Sequence, residues 1–136
     1  MLLEKNNELG KISISNNVFA QIIKDSLELC RGRVWPATKK GKQIGNEWKF
    51  NLSDFASTVE VKGKDQDNNF ELRFYIITKF GASIKSITDI IMDSIFEKIK
   101  STTGEYPNEV TIVVVGVKSR LIAKREIEVV RKNELK

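Results

Sequence analysis

Val110-Thr-Ile-Val-Val-Val115 decides the fold, because it is a nearly continuous run of β-branched apolar residues. Such a run is typical of a strand that is buried on both faces of a sheet. A strand of this kind lies inside the sheet and has neighbours on both sides. We therefore predict that residues 110–115 form a central strand.

A long amphipathic helix is predicted before this strand. Isoleucine recurs at helical spacing, at Ile84, Ile87, Ile91, Ile95 and Ile99. Gly81 and Ser83 precede this stripe and mark the helix start. Gly104 suits its C-terminal end, because glycine adopts the left-handed backbone conformation without steric cost.

Residues 58–76 predict a β-hairpin. Residues 58–62 alternate in polarity, and the second strand places Phe70, Leu72, Phe74 and Ile76 on one face. Tyr75 then points to the opposite face. In the RNA-recognition fold, aromatic residues beside glycines on a central strand stack on bases, but residues 70–77 contain no glycine.

Residues 10–30 predict a strand followed by an amphipathic helix. The strand alternates over 10–15, and the helix runs from about Asn16 to Cys30. Cys30 is the single cysteine of the chain and falls on the apolar face of this helix. We interpret it as a small buried apolar residue and not as a nucleophile.

The predicted order is β-α-β-β-α-β, which gives an α+β fold with one mixed sheet covered on one face by two helices. We predict one domain over residues 1–136, a usual domain size, with a basic insertion at about 31–57 and a basic tail at about 118–136. Trp48, Phe50 and Leu52 alternate with polar residues, which indicates a short strand or a segment folded back onto the core. Residues 119–130 fit a strand or a helix equally well.

The composition predicts a cytoplasmic protein. Hydrophobic residues make up 40% of the chain, yet no stretch approaches the roughly 20 apolar residues that span a bilayer. The first residues lack the apolar core of a secretory signal. A single cysteine forms no internal disulfide and gives no sign of an oxidising compartment.

The sequence offers little for catalysis. It contains no histidine, the commonest general base and metal ligand, and no phosphate-binding loop, dinucleotide fingerprint or nucleophile elbow. Asp89 and Asp93 share a helix face opposite the isoleucine stripe, where we expect solvated carboxylates rather than a metal site. We predict a protein that is not an enzyme and that binds no cofactor or metal ion.

The basic charge is concentrated in two segments. Residues 31–57 contain six basic and two acidic residues, and residues 118–136 contain seven basic and three acidic residues. Such segments suit an acidic partner, although solvated loops have the same composition. The candidate partner or anion contacts are Arg31, Arg33, Trp35, Lys39, Lys40, Lys42, Trp48, Lys49, Lys124 and Arg125.

Three strings resemble the alkaline shock protein twenty-three family, general-stress proteins of Gram-positive bacteria. Residues 10–15 resemble its opening strand, and Lys79-Phe-Gly-Ala-Ser-Ile84 is similar to its strand-to-helix signature. Thr103-Gly104 and the valine strand 110–117 resemble its closing element. The resemblance covers residues 10–30 and 58–117. It assigns structural positions to Gly10, Phe80, Gly81, Ser83, Ile84 and Gly104.

The chain also departs from the family pattern. Phe80 replaces the usual tyrosine, and Lys85 stands where a proline is common. The short link after the first helix is replaced by the long segment 31–57, and the tail is longer than usual. The resemblance implies a non-catalytic protein that is tied to cell-envelope stress, self-associates and is held at the cytoplasmic side of the membrane by an anchored partner. No small-molecule substrate is implied.

These observations leave three hypotheses for function. The first is an envelope-stress protein that binds itself or a membrane-anchored partner through a sheet edge or sheet face. The second is a nucleic-acid-binding module, in which Trp35 and Trp48 stack on bases beside the basic residues of 31–57 and the tail. The alternative for both tryptophans is that they anchor the segment 31–57 to the fold. The third is direct attachment to anionic lipid through the same charges.

Overall fold

The structure is a computed structural model that describes residues 2–7, 10–45, 50–64 and 69–133. It has mixed α and β content, which confirms the α+β class. Its elements are β1 (Leu2–Asn7), β2 (Gly10–Ser15), α1 (Asn16–Glu28), β3 (Val34–Ala37), α2 (Leu52–Ala56), β4 (Glu60–Lys64), β5 (Asn69–Lys79), α3 (Ile84–Thr103), β6 (Glu109–Lys118) and β7 (Ile122–Lys132).

Five of the strands form one mixed sheet. β5 and β6 are parallel neighbours joined by α3, and β7 pairs antiparallel with the other side of β6. β4 and β3 pair antiparallel with the free side of β5, one after the other along its length. The predicted hairpin is therefore confirmed as β4 and β5, and the tail forms a strand rather than a helix.

The predicted place of the first strand differs from the structure. Residues 10–15 form β2, but β2 pairs with β1 in a separate two-stranded sheet. Within the larger sheet, β3 and β4 occupy one side of the β5–β6 pair, and β7 occupies the other. Both sides of that pair are thus filled. The predicted order β-α-β-β-α-β lacks β1 and β3, and the segment 119–130, predicted as a strand or a helix, supplies most of β7.

The main core lies between the helices and one face of the sheet, which we call the inner face. Phe74 of β5 and Ile112 of β6 point to this face, where Ile23 of α1 and Ile91 of α3 cover them. α1 and α3 contact each other, and the buried Ser26 shares a 2.8 Å hydrogen bond with Ser94 across that contact. Both long helices therefore cover the same face, as predicted.

β6 is buried on both sides, which confirms its central position. Val110, Ile112 and Val114 contribute to the inner core, whereas Val113 and Val115 contribute to a second apolar cluster on the opposite face, the outer face. The pairing shifts between Val114 and Gly116, which marks a β-bulge.

α3 begins and ends as the sequence predicts. The hydroxyl of Ser83 accepts a 3.2 Å hydrogen bond from the backbone N–H of Ser86 and caps the helix. Gly104 ends the helix with a φ of 87°. Within the described part of the chain, neither α3 nor any other helix combines the length and the apolar character that a bilayer span requires.

The insertion 31–57 has its own structure. It contains β3 and α2, and Asn51 caps α2 by accepting a 2.8 Å hydrogen bond from the N–H of Ser53. Phe50 and Leu52 pack against the inner core. The prediction that this stretch folds back onto the core is therefore confirmed for Phe50 and Leu52. The alternative prediction of a strand is wrong at Leu52, which begins α2. Trp48 and Lys49 lie outside the described residues.

Candidate functional site

Three chain segments meet at one end of the five-stranded sheet. They are residues 29–33 before β3, residues 79–82 from the last residue of β5, and residues 118–125 from the last residue of β6 into the start of β7. They converge because β5 and β6 end where β3 and β7 begin. Backbone hydrogen bonds join them, from Lys79 N to Arg33 O at 2.8 Å and from Phe80 N to Lys118 O at 2.8 Å. We call these three segments the basic end.

The basic end contains seven of the chain's 23 basic residues and none of its 18 acidic residues. The seven are Arg31, Arg33, Lys79, Lys118, Arg120, Lys124 and Arg125. Four of them were predicted contacts, and the structure brings the two from the insertion together with the two from the tail. The other three were not among the predicted contacts. Lys118 and Arg120 belong to the basic tail, and the pairing of β5 with β6 places Lys79 beside them.

Exposed apolar side chains accompany these charges. Leu29, Phe80 and Leu121 are 58%, 69% and 82% exposed. Phe80 lies in the turn before α3, next to Gly81, whose φ of 85° falls in the left-handed region. Leu121 lies in the β6–β7 turn, where its carbonyl accepts a 3.1 Å hydrogen bond from Ser119 N. Two apolar residues therefore stand at turns directly flanked by Lys79 and Arg120.

Lys39, Lys40 and Lys42 do not belong to the three segments of the basic end; they lie on the loop 38–43 and are exposed. The loop closes through a 2.8 Å hydrogen bond from Thr38 N to Lys42 O, and it covers the outer face of the sheet. A β-carbon on Gly41 would lie 3.7 Å from the carbonyl oxygen of Val115. The loop thus shields the outer apolar cluster from solvent.

Trp35 has a structural environment. It lies on β3, opposite Ile77, and packs against the outer apolar cluster. The ammonium group of Lys118 is 4.8 Å from the centroid of its ring. Because a protein cation already covers this ring, the geometry favours an anchoring role for Trp35 over base stacking.

Tyr75 is also engaged within the protein. It is 2% exposed, and its hydroxyl donates a hydrogen bond to the Glu60 carboxylate. Burial raises the pKa of Tyr75 above its usual range, and the hydrogen bond to Glu60 raises it further. Nearby on the same face, the hydrogen bond that Arg73 donates to the Glu128 carboxylate raises the pKa of Arg73. Tyr75 is therefore not presented for stacking on a base.

Asp89 and Asp93 are joined by a cation from the sheet. Arg131 of β7 lies 2.6 Å from Asp93 Oδ1 and 3.6 Å from Asp89 Oδ1. Lys85 also reaches Asp89, at 3.0 Å. The two carboxylates are thus ion-paired and not merely solvated as expected. No group of three histidine, cysteine, aspartate or glutamate residues suited to a metal ion occurs among the described residues.

The remaining sequence-based assignments concern structural positions. Cys30 is fully buried, and burial raises the pKa of its thiol despite the opposing effect of Arg33. A buried thiol with a raised pKa is a poor nucleophile at neutral pH. Among the family-motif positions, Gly10 opens β2 and Ile84 is the first residue of α3.

Comparisons with known proteins place these features in a family. The model of the alkaline shock protein twenty-three family, described as having a cell envelope-related function, matches residues 4–119. The chain is similar to the uncharacterized protein YloU of Bacillus subtilis strain 168, with 25% identity over 118 residues, 87% of this chain and 97% of YloU. No solved structure matches it. The match over most of the chain shows that it belongs to the alkaline shock protein twenty-three family, whose function is related to the cell envelope.

Proposed function

We propose that this envelope-related protein performs no catalysis and acts through protein–protein contacts at the cytoplasmic face of the membrane. The observation that carries the proposal is the long exposed edge strand β7. Ile122–Lys132 spans 11 residues, and within the described part of the chain it pairs with β6 alone. Its second edge can accept another strand, because backbone N–H and C=O groups on a free edge form a template for pairing.

The side chains of β7 suit a selective contact. Ile127 and Val130 are 37% and 46% exposed, so the strand offers apolar area beside its free edge. Charged residues flank them, which discourages indiscriminate pairing of edges and favours a partner with matching charges. The partner is a second copy of this chain or a membrane-anchored protein that presents a strand.

A matched pair of substitutions tests this surface. Val130→Lys adds a charge beside the free edge, and Val18→Lys makes the same change on α1, where the valine is 38% exposed. If the partner is a second copy, we expect Val130→Lys to abolish the self-association that light scattering measures. If it is a membrane protein, we expect Val130→Lys to abolish its co-purification from gently solubilised cells. Val18→Lys leaves both unchanged. Equal behaviour of the two variants, or a wild-type chain that is monomeric and recovers no membrane protein, contradicts the proposal.

Nucleic-acid binding is a second candidate, favoured by the charge of the basic end. Phosphate contacts would supply most of the affinity, since Trp35 and Tyr75 are engaged within the fold, and Phe80 is an exposed aromatic side chain at the basic end. Such binding weakens steeply as salt concentration rises, because neutralised phosphates release counterions. The test is whether nucleic acid co-purifies with the wild-type chain. If it does, and no protein partner remains bound after nuclease treatment, nucleic-acid binding becomes the first candidate.

A further inference from the structure

We propose that the basic end binds anionic lipid directly, with Phe80 and Leu121 entering the headgroup region of the membrane. This inference goes beyond the proposed function, because it needs no protein partner. Its first support is topology. The two turns that carry Phe80 and Leu121 follow the adjacent parallel strands β5 and β6, and the bond from Phe80 N to Lys118 O holds them side by side.

The charge of this end complements a negatively charged surface. Its seven basic residues come from three separate segments, and these segments contain no acidic residue. Lys79 and Lys118 are direct neighbours on β5 and β6, and like charges in directly opposite positions repel each other. A surface with anionic headgroups relieves this repulsion.

The apolar residues stand where a membrane could receive them. Single exposed apolar residues are normal on a protein surface. Here, however, Phe80 and Leu121 are 69% and 82% exposed on adjacent turns, and each has a basic residue directly before it in the chain. Proteins that lie on a membrane surface have this arrangement, with basic residues at the headgroup level and apolar residues beneath them.

This arrangement fits lipid better than a protein or a nucleic acid. Two projecting turns form no extended complementary surface, whereas a stable protein interface buries roughly 800 Å² on each partner. Phosphate contacts with nucleic acid would use the charges but would leave Leu121 exposed, since an aliphatic side chain does not stack on bases. A lipid surface uses both features and demands no fixed shape.

The experiment is vesicle flotation with the full-length chain at physiological ionic strength. The probes are vesicles of pure phosphatidylcholine and vesicles of phosphatidylcholine mixed with phosphatidylglycerol. We expect the chain to float with the mixed vesicles and not with the pure ones. No co-flotation with the mixed vesicles, or equal co-flotation with both, overturns the proposal.

Two double variants divide the surface into its charged and apolar parts. Arg120→Gln with Arg125→Gln should lower the partition coefficient about tenfold or more, because each basic residue near an anionic surface contributes severalfold. Phe80→Ser with Leu121→Ser should lower it by a similar factor of about ten through lost apolar insertion. If the arginine double variant binds vesicles as the wild type does, the charged part of the proposal is wrong. If the Phe80 and Leu121 double variant does so, the apolar part is wrong.

The matched control is Lys62→Gln with Lys132→Gln, which removes the same charge from the opposite end of the sheet. Lys62 is opposite Glu71, and Lys132 is opposite Glu109, so both lie far along the strands from the basic end. We expect this variant to bind as the wild type does. An equal loss in the control means that net charge alone drives adsorption, and it overturns the proposed site.

The test is independent of the proposed function. Val130→Lys, which targets the free edge of β7, should leave vesicle binding unchanged. If the mixed vesicles bind nothing while a single-stranded oligonucleotide binds and is released by Arg120→Gln with Arg125→Gln, the basic end is a nucleic-acid site instead and the lipid proposal is wrong.

Discussion

The ammonium group of Lys118 lies 4.8 Å from the centroid of the Trp35 ring. The same group donates a 2.7 Å hydrogen bond to the side-chain oxygen of Gln43. Lys118 ends the strand β6, whereas Trp35 and Gln43 belong to the insertion 31–57. One side chain therefore fastens both the strand β3 and the loop 38–43 to the sheet.

We expect Lys118→Met to destabilise the fold by about 1–2 kcal/mol, because it keeps the aliphatic stem but removes the cation and its hydrogen bond. Urea unfolding followed by Trp fluorescence measures the change. Lys79→Met is the matched control, since Lys79 is the neighbour of Lys118 on β5. This control should change the free energy of unfolding by no more than about 0.5 kcal/mol. Equal effects of the two substitutions would contradict the anchoring role of Lys118.

Gly116 marks a close approach between β6 and β7. A β-carbon at this position would lie 2.6 Å from Cγ2 of Ile122, and the branched Ile122 side chain cannot move that atom freely. We expect Gly116→Ala to destabilise the fold by about 1–3 kcal/mol, through overpacking. Thermal or urea unfolding gives the value.

A double-mutant cycle shows whether this collision is the cause. Ile122→Ala removes the Cγ2 atom, so Gly116→Ala should cost less in that background than in the wild type. If the two substitutions are simply additive, the contact with Ile122 is not what excludes a side chain at position 116.

The periodic elements could be predicted from the sequence, because their signals are local. Each of these signals is a residue pattern within a single segment, produced by side-chain burial that repeats regularly along it. The examples are the valine run of β6, the isoleucine stripe of α3 and the alternation of β5. β3 has no such signal. It has four residues and contains Pro36, which lacks an N–H and is tolerated because β3 lies at the sheet edge.

The candidate sites depended more on long-range pairing. The sequence identified basic residues in the insertion and the tail, but the strand order is what places Arg33, Lys79 and Lys118 together. The exposure of Leu121 was equally hidden, since an isolated leucine in a short turn has no periodic pattern. Likewise, the alternation of residues 10–15 predicted a strand but did not identify its partner β1.

Thr78 has a buried hydroxyl without a hydrogen-bond partner among the described residues. Leaving a polar group unpaired in the core is unfavourable, and valine has nearly the same shape. We therefore expect Thr78→Val to stabilise the fold by about 1 kcal/mol. The control is Thr88→Val, where the buried hydroxyl donates a 2.8 Å hydrogen bond to Ile84 O and its loss should destabilise the fold. Chemical unfolding of both variants should give opposite signs, and a destabilised Thr78→Val would show that its hydroxyl is satisfied.

The raised pKa of Tyr75 predicts a loss of stability at alkaline pH. Burial and the hydrogen bond to Glu60 favour the protonated phenol in the folded protein. The unfolded chain releases this proton near pH 10, whereas the folded protein still holds it. The contribution of Tyr75 to stability is therefore complete below about pH 9 and is lost as pH rises through the pKa of the folded state.

Tyr75→Phe tests this pH dependence, because it removes the ionisable hydroxyl of Tyr75 and keeps the aromatic ring. The free energy of unfolding should fall less steeply above about pH 10 in Tyr75→Phe than in the wild type, whatever the difference at neutral pH. In the folded wild type, the ultraviolet signal of phenol ionisation should include a tyrosine that titrates above its usual range. A steep alkaline fall that persists unchanged in Tyr75→Phe would assign it to other groups and would contradict the role of the Tyr75–Glu60 contact.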